Sequence, residues 1–273
     1  MVTLICPVRG CGKPLERRGP SLACPAGHAF DLARSGYCNL LQPQDRRSPR
    51  PGDAKAVVEA RRRFLDAGYA EPLLQALLEE TDALGLPAGA AVLDVGCGEG
   101  TCLGRIAGER AVEAHGTDLS AAAIDLAARR YPGVTWIVAN ADRFLPYAAG
   151  SFDVALSIDA RLPAAELRRV LKPQGRLLAA VPGPDDLVEL RAAVLGEGIV
   201  RDRMERAATA LSAYFEMEGR RRIGHTVHLA LETARDALAV TYRGGRASQR
   251  QRAAAIAAMD VTLSHDLARF RPR

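Results

Sequence analysis

Four residues near the N-terminus, Cys6, Cys11, Cys24 and His28, are spaced C-x4-C-x12-C-x3-H. Two close pairs about a dozen residues apart let two turns present four soft ligands tetrahedrally to a zinc ion. The pairs lie in "CPVRGCG" and "CPAGH", where Pro and Gly suit turns whose backbone amides point at the sulfurs. With all four ligands supplied by protein, no coordination position is left open, so the ion is expected to fold the segment and not to catalyse. Residues 1–30 hold too few apolar side chains to make a core unaided, which gives the metal a structural task. Cys38, Cys97 and Cys102 read as small packing residues.

A second cluster lies in "VLDVGCGEG", Val92 to Gly100. Gly96, Gly98 and Gly100 permit a tight turn and a close backbone approach to a ligand where a helix begins. A dinucleotide site uses G-x-G-x-x-G to seat a pyrophosphate, whereas the spacing here is G-x-G-x-G with Asp94 before it and Glu99 inside it. Carboxylates so placed would repel phosphate, so the ligand is expected to be a nucleoside bearing positive charge. Asp118 in "GTDLS" ends the next strand, where an acid can accept both hydroxyls of a ribose. Asp142 in "NADRFLP" follows the third strand and could accept an adenine amino group. The alternative for each acid taken singly is a turn carboxylate capping the next helix. Together the set resembles the class I methyltransferases, and the resemblance implies S-adenosylmethionine as cofactor, with Leu119 and Ala141 flanking the acids of the site.

These residues need a scaffold. After Pro87, short apolar strands at 91–95, 111–117, 134–139, 152–158 and 175–181 alternate with or precede helices at 101–109, 120–131, 163–171 and 184–196. That rhythm predicts an α/β fold, a doubly wound and mostly parallel sheet covered on both faces. Further on the pattern predicts a helix near 201–211, a strand in "HTVHLAL", a helix near 232–240 and a strand in "DVTLSHD". Before the strands, "AKAVVEARRRFLDAG" and "EPLLQALLEETDALG" predict two helices closed by glycines. Residues 42–53, "QPQDRRSPRPGD", read as an extended linker. The expected divisions are a zinc module over 1–41, linker and helices over 42–86, and the catalytic domain over 87–273.

Composition sets the outer bounds. With 273 residues and 48% apolar content, one full-sized domain and a small module can be built. No apolar run approaches the roughly 20 residues that span a bilayer, and cysteines and charges interrupt the N-terminus, so the chain is expected to be cytoplasmic, with no membrane partner. The net charge of +5 is uneven: residues 1–63 hold 12 Lys/Arg against 5 Asp/Glu, or +7, and the remainder sums to −2. A basic appendage on a neutral body suits a polyanion, although a solvated basic face would look the same.

The cysteine pairs, followed by "FDLARSGYCNLL", "PGD…ARRRFLDAGYAEPL", "VLDVGCGEG" and "GTDLSAAAIDLAARRYP", make the chain similar to the zinc-containing 23S ribosomal RNA guanine-N1 methyltransferases. That family includes housekeeping and macrolide-resistance enzymes. The likeness implies methylation of one guanine in an RNA hairpin, a homodimer, Cys6, Cys11, Cys24 and His28 as zinc ligands, and the Asp94–Gly100 segment with Asp118 as cofactor site. Two features depart from the family pattern: C-x4-C replaces C-x2-C, and Asp159-Ala160-Arg161 stands where an aromatic-Ala-Pro stretch is expected.

Guanine N1 carries a proton, so methylation requires its removal or a stabilised oxyanion at O6. Asp159 and Arg161 follow the fourth strand, beside the cofactor. Asp159 is expected to accept the proton and Arg161 to bind O6 or a phosphate; the alternative is an ion pair that only fixes the loop. Arg17, Arg18, Arg46, Arg47 and Arg50 are expected to contact RNA phosphates, helped by the basic stretch from Thr241. Two rival readings are a small-molecule methyltransferase and a non-catalytic zinc-containing RNA-binding protein. The basic N-terminal region argues against the first, and the intact Asp94, Gly96, Gly98 and Asp118 set against the second.

Overall fold

Strands of three residues with little apolar content cannot hold a sheet by burial. Yet the N-terminal segment of the computed structural model, which describes residues 1–46, 51–195, 202–240 and 256–273, is such a sheet. β1 (Glu16–Arg18), β2 (Ser21–Ala23) and β3 (Ala29–Asp31) pair antiparallel, and β1 is exposed throughout. The two cysteine turns flank it and give it its anchor. The next strand, β4 (Cys38–Asn39), leaves this sheet and pairs parallel with β7 (Thr135–Val138), becoming the edge of the large sheet. Further ties run from Leu4 to Tyr147, from the Ile5 amide to the Pro146 carbonyl, and from the Val2 amide to Glu113. Cys6, Cys24, Cys38 and Leu40 share one apolar core with Tyr147 and Phe152.

Two helices follow, α1 (Lys55–Asp66) and α2 (Glu71–Ala83), ended by Gly68 and Gly85 at positive φ. The large sheet comes next. β5 (Ala90–Val95) is buried at every position, as a strand covered on both faces must be. It lies between β6 (Val112–Asp118) and β8 (Phe152–Ile158), and β7 and β9 (Leu171–Pro182) extend the parallel array. β11 (Met259–Pro272) runs antiparallel to β9, and β10 (Phe215–Leu229) antiparallel to β11. The eight-stranded order is β10-β11-β9-β8-β5-β6-β7-β4. The other described helices are α3 (Thr101–Glu109), α4 (Ala121–Arg130), α5 (Ala164–Val170), α6 (Val188–Leu195), α7 (Arg203–Leu211) and α8 (Leu231–Ala239). From β5 the chain moves to β6 and β7, then returns to the far side for β8. This reversal opens a crevice at the carboxyl ends of the central strands.

The structure differs from the sequence expectation at several element bounds: β9 starts at Leu171, β11 runs on to Pro272, Pro43–Asp45 in the expected linker form a 3-10 turn, and two further differences have a plain cause. The helix expected from 184 begins at Val188, because residues 184–187 form a turn that ties to β11 through the Leu187 amide and the Thr262 carbonyl. The strand expected at "HTVHLAL" extends back to Phe215. Its first half is polar and solvent-facing: Arg220 and Arg222 hold Asp266 of β11, and Arg221 reaches Glu79. No helix among the described residues is long and apolar enough to cross a membrane.

Candidate active site and metal centre

The turn after β5 carries its glycines for steric reasons. Gly96 has φ 78°, and a methyl group there would lie 2.4 Å from the Ala160 Cβ, so the turn and the Asp159–Ala160 loop are in direct contact. Gly100, at φ 84°, starts α3, and a side chain there would meet the Trp136 indole at 2.5 Å. Two carboxylates are buried beside this turn, Asp94 at 1% exposure and Glu99 at 3%. Asp94 Oδ1 and Glu99 Oε2 accept no hydrogen bond. Leaving such groups unpaired costs free energy unless a ligand pairs them. Two buried acceptors with open valences at a glycine turn fit the ammonium and sulfonium end of S-adenosylmethionine.

Burial, then the neighbouring Asp118 charge, pushes the Asp94 carboxyl up to about 8 against the opposing pull of Arg61, so at neutral pH it holds its proton until a cationic ligand arrives. A bound ammonium needs the carboxylate. With Asp94 as the ammonium acceptor, cofactor binding is expected to release a proton and affinity to rise as pH climbs toward about 8. Titration calorimetry in buffers of different ionisation enthalpy reads that proton directly; a cofactor affinity that is flat over this range would exclude Asp94 as its acceptor.

Asp118 ends β6 with its carboxylate oriented by two amides, Gly98 N at 3.0 Å and Ser120 N at 2.7 Å. Burial outweighs those two bonds and raises its proton affinity. The linker crosses here: the Ser120 hydroxyl donates to the Asp53 carbonyl, and a side chain on Gly52 would collide with Ser120. Asp142, after β7, accepts from Arg161 at 3.2 Å, and the Asp142 amide is held by Asn140. Leu119 and Ala141 are half-buried beside these acids.

A cavity of about 730 Å³ opens at the crevice. Asp94, Gly96 and Glu99 line it, while Gly98, Gly100, Asp118, Leu119, Ala141 and Asp142 stand outside its walls. Asp159 also lines it, at φ 53°, a left-handed backbone that a carboxylate residue tolerates better than most. Its Oδ2 lies 3.0 Å from His265 Nε2 on β11. Burial works to raise Asp159, but His265, Arg61 and Arg203 hold it below the usual carboxylate range. For His265 burial opposes the charge, and Asp159 and Asp186 outweigh it, so the imidazole stays protonated to higher pH than usual. Burial pushes Asp186 up to about 6 although the Ser264 amide donates to it. The structure thus gives Asp159 a cationic partner in His265, while Arg161, 70% exposed, turns to Asp142. Nothing in the local sequence around His265 marked it.

At the N-terminus the four ligand atoms of Cys6, Cys11, Cys24 and His28 lie within 4.8 Å of one another. His28 Nδ1 is 3.4 Å from the Cys6 sulfur and 3.5 Å from that of Cys24, and the Cys11 and Cys24 sulfurs are 3.8 Å apart. Zn–S bonds of ~2.3 Å and Zn–N bonds of ~2.0 Å in a tetrahedron require edges of about 3.5–3.8 Å, so this cage fits zinc. Two amide-to-carbonyl turns build it, Cys11 N to Val8 O and Cys24 N to His28 O. Arg17 and Arg18 are exposed on β1 and Arg46 is exposed beyond β4. Arg47, Arg50 and the basic stretch from Thr241 lie outside the described residues.

A methyltransferase-domain family model matches residues 92–175, and a zinc-ribbon family model described as the RlmA N-terminal region matches residues 4–49. A 23S rRNA (guanine(748)-N(1))-methyltransferase of Streptomyces fradiae is 38% identical over 223 residues, covering 80% of this chain and 78% of that protein. A protein of Micromonospora griseorubida provisionally named a 23S rRNA (guanine-N(1)-)-methyltransferase is 34% identical, covering 98% of this chain and 97% of its own. Among solved structures, the Bacillus subtilis YcgJ protein is similar over 72% of this chain and 97% of its own, with TM-score 0.51 and 17% identity. That likeness shows the fold.

Proposed function

The chain belongs to the 23S rRNA (guanine-N(1)-)-methyltransferase family, and on that premise we propose that it methylates N1 of a guanine in 23S ribosomal RNA, using S-adenosylmethionine and a structural zinc. The observation that carries this reading is that one cavity holds both the buried acids of the glycine turn, each with one oxygen that accepts no hydrogen bond, and the Asp159–His265 pair. The cofactor supplies a methyl group on a sulfonium, which needs a nucleophile and little else.

The protein's task is to make N1 that nucleophile. Asp159 accepts the N1 proton as the new N1–CH3 bond forms and the S–CH3 bond breaks, leaving 1-methylguanine and S-adenosylhomocysteine. His265, charged by its two carboxylate neighbours, donates to O6 where negative charge develops. Arg161 stays exposed to meet a phosphate. N1 of a paired guanine is engaged, so the base must be unpaired or swung into the cavity. Phe64 and Tyr69, stacked with centroids 4.9 Å apart, give that cavity an aromatic wall. We assign the target to a hairpin bound through phosphate contacts from Arg17, Arg18, Arg46, Arg47 and Arg50, with a homodimer as the binding unit.

The test is transfer of labelled methyl to large-subunit RNA lacking the modification, followed by nucleoside analysis. Label is expected in 1-methylguanosine. Label in another nucleoside would redraw the base-reading assignment, and none, with zinc and cofactor bound, would move the substrate to a small molecule.

A further inference from the structure

Three consecutive arginines, Arg61, Arg62 and Arg63, sit on α1, and the structure uses them differently. Arg62 pairs with Asp66 on the same helix, and Arg63 makes a two-bonded pair with Asp236 of α8. Arg61 instead turns into the cavity. Its Nε lies 3.5 Å from Glu99 Oε2 and 3.9 Å from where a side chain on Gly98 would begin. Asp159, Asp118 and Cys102 also act on it electrostatically.

A fixed cation among these acids opposes a purely cationic ligand. It suits a ligand whose cationic groups carry an anion beside them. The amino-acid end of S-adenosylmethionine is such a ligand: an ammonium and a carboxylate on one carbon, with the sulfonium two carbons farther. A guanidinium binds a carboxylate through two parallel N–H bonds, which Lys cannot copy. The contact with Glu99 is an ion pair without an aligned hydrogen bond, so in moving to the ligand Arg61 exchanges one carboxylate for another while the ligand ammonium takes its place beside Glu99.

We propose that Arg61 is the carboxylate anchor of the cofactor site, moving from Glu99 to the ligand carboxylate while Asp94 and Glu99 take the ammonium. The assignment rests on the cofactor reading above and goes beyond it, because it makes the site selective against sulfonium nucleosides that lack the carboxylate. α1 thereby closes one wall of the cavity only around a ligand with a complete amino-acid end.

The test is calorimetric titration of the full chain with S-adenosylmethionine, S-adenosylhomocysteine and decarboxylated S-adenosylmethionine, for the parent protein, Arg61→Met and Arg61→Lys, with melting temperatures taken without ligand. The parent is expected to favour S-adenosylmethionine over its decarboxylated form by roughly 10- to 100-fold. Arg61→Met loses that factor for the two carboxylate-bearing ligands, keeps the decarboxylated one within about threefold, and melts with the parent; Arg61→Lys regains part of the loss. Equal weakening of all three ligands would make the residue merely structural, and tighter binding of all three would make it a placeholder; either overturns the proposal. Failure of the parent to bind S-adenosylmethionine or S-adenosylhomocysteine at all would instead overturn the cofactor reading.

Discussion

Asp159→Asn is expected to lower the single-turnover rate of RNA methylation by roughly 10²–10⁴-fold and to leave cofactor affinity within about twofold. The amide keeps the size and can still accept from His265, so the cavity survives while the proton acceptor does not. His265→Gln is expected to cost less, roughly 10- to 100-fold, because in the proposed arrangement a neutral donor at O6 replaces a charged one. The pH profile separates the two roles. Asp159 sits below the usual carboxylate range, so the acid limb falls only at low pH. His265 is raised, so its charge is lost, and the rate declines, as pH rises through that raised value. Asp159 and Asp186 raise it; Arg61 opposes them, and Arg203 stands against both acids. In His265→Gln the alkaline limb is expected to disappear. Wild-type kinetics in Asp159→Asn would leave the left-handed Asp159 as a loop-fixing residue only.

The zinc cage carries the other large effect. Cys24→Ser, or prolonged chelation, removes a metal that supplies on the order of 10 kcal/mol to folding a module of this kind. Exposed β1 and two further three-residue strands cannot replace it. Methylation of RNA is expected to fall by at least ~100-fold as the basic surface loses its shape. The damage does not stop at the module, because Cys6, Cys24 and Leu40 share a core with Tyr147 and Phe152. The melting temperature of the whole chain is therefore expected to drop by roughly 5–10 °C. Elemental analysis, thermal melts and RNA binding read these together. A zinc-free protein that melts and methylates normally would show that the cage is dispensable.

The central strands were legible because their burial is total: β5 and β8 are short apolar runs bounded by turns, and β8 falls at 152–158 as expected. The four cage residues were legible from spacing alone, and the structure brings their ligand atoms together. Asp159 was reached from a topological rule, since ligands gather at the ends of parallel strands. Its partner was not, because His265 lies 106 residues farther along and arrives through the antiparallel pairing of β11 with β9. Only tertiary pairing brings such residues together, and no local pattern encodes it. The same limit hid Arg61: the run of arginines is plain, but which one turns inward depends on how α1 sits against the glycine turn. β10 stayed half hidden because its paired arginines look like solvent-facing loop. β4, two residues long, is too short to carry a period at all.

That short strand has a consequence for target choice. β4 hydrogen-bonds alongside β7, and just beyond it the Leu40 amide reaches the Val138 carbonyl and Asn140 donates to the Asp45 carbonyl. The basic N-terminal end is thus bolted to the sheet instead of swinging on a tether. A bolted reader works as a gauge of fixed length. On the proposed RNA contacts, it is expected to accept a nucleotide only when the distance from the grasped backbone to the reacting base matches its own span, so that one inserted or deleted base pair between them puts an otherwise identical guanine out of reach.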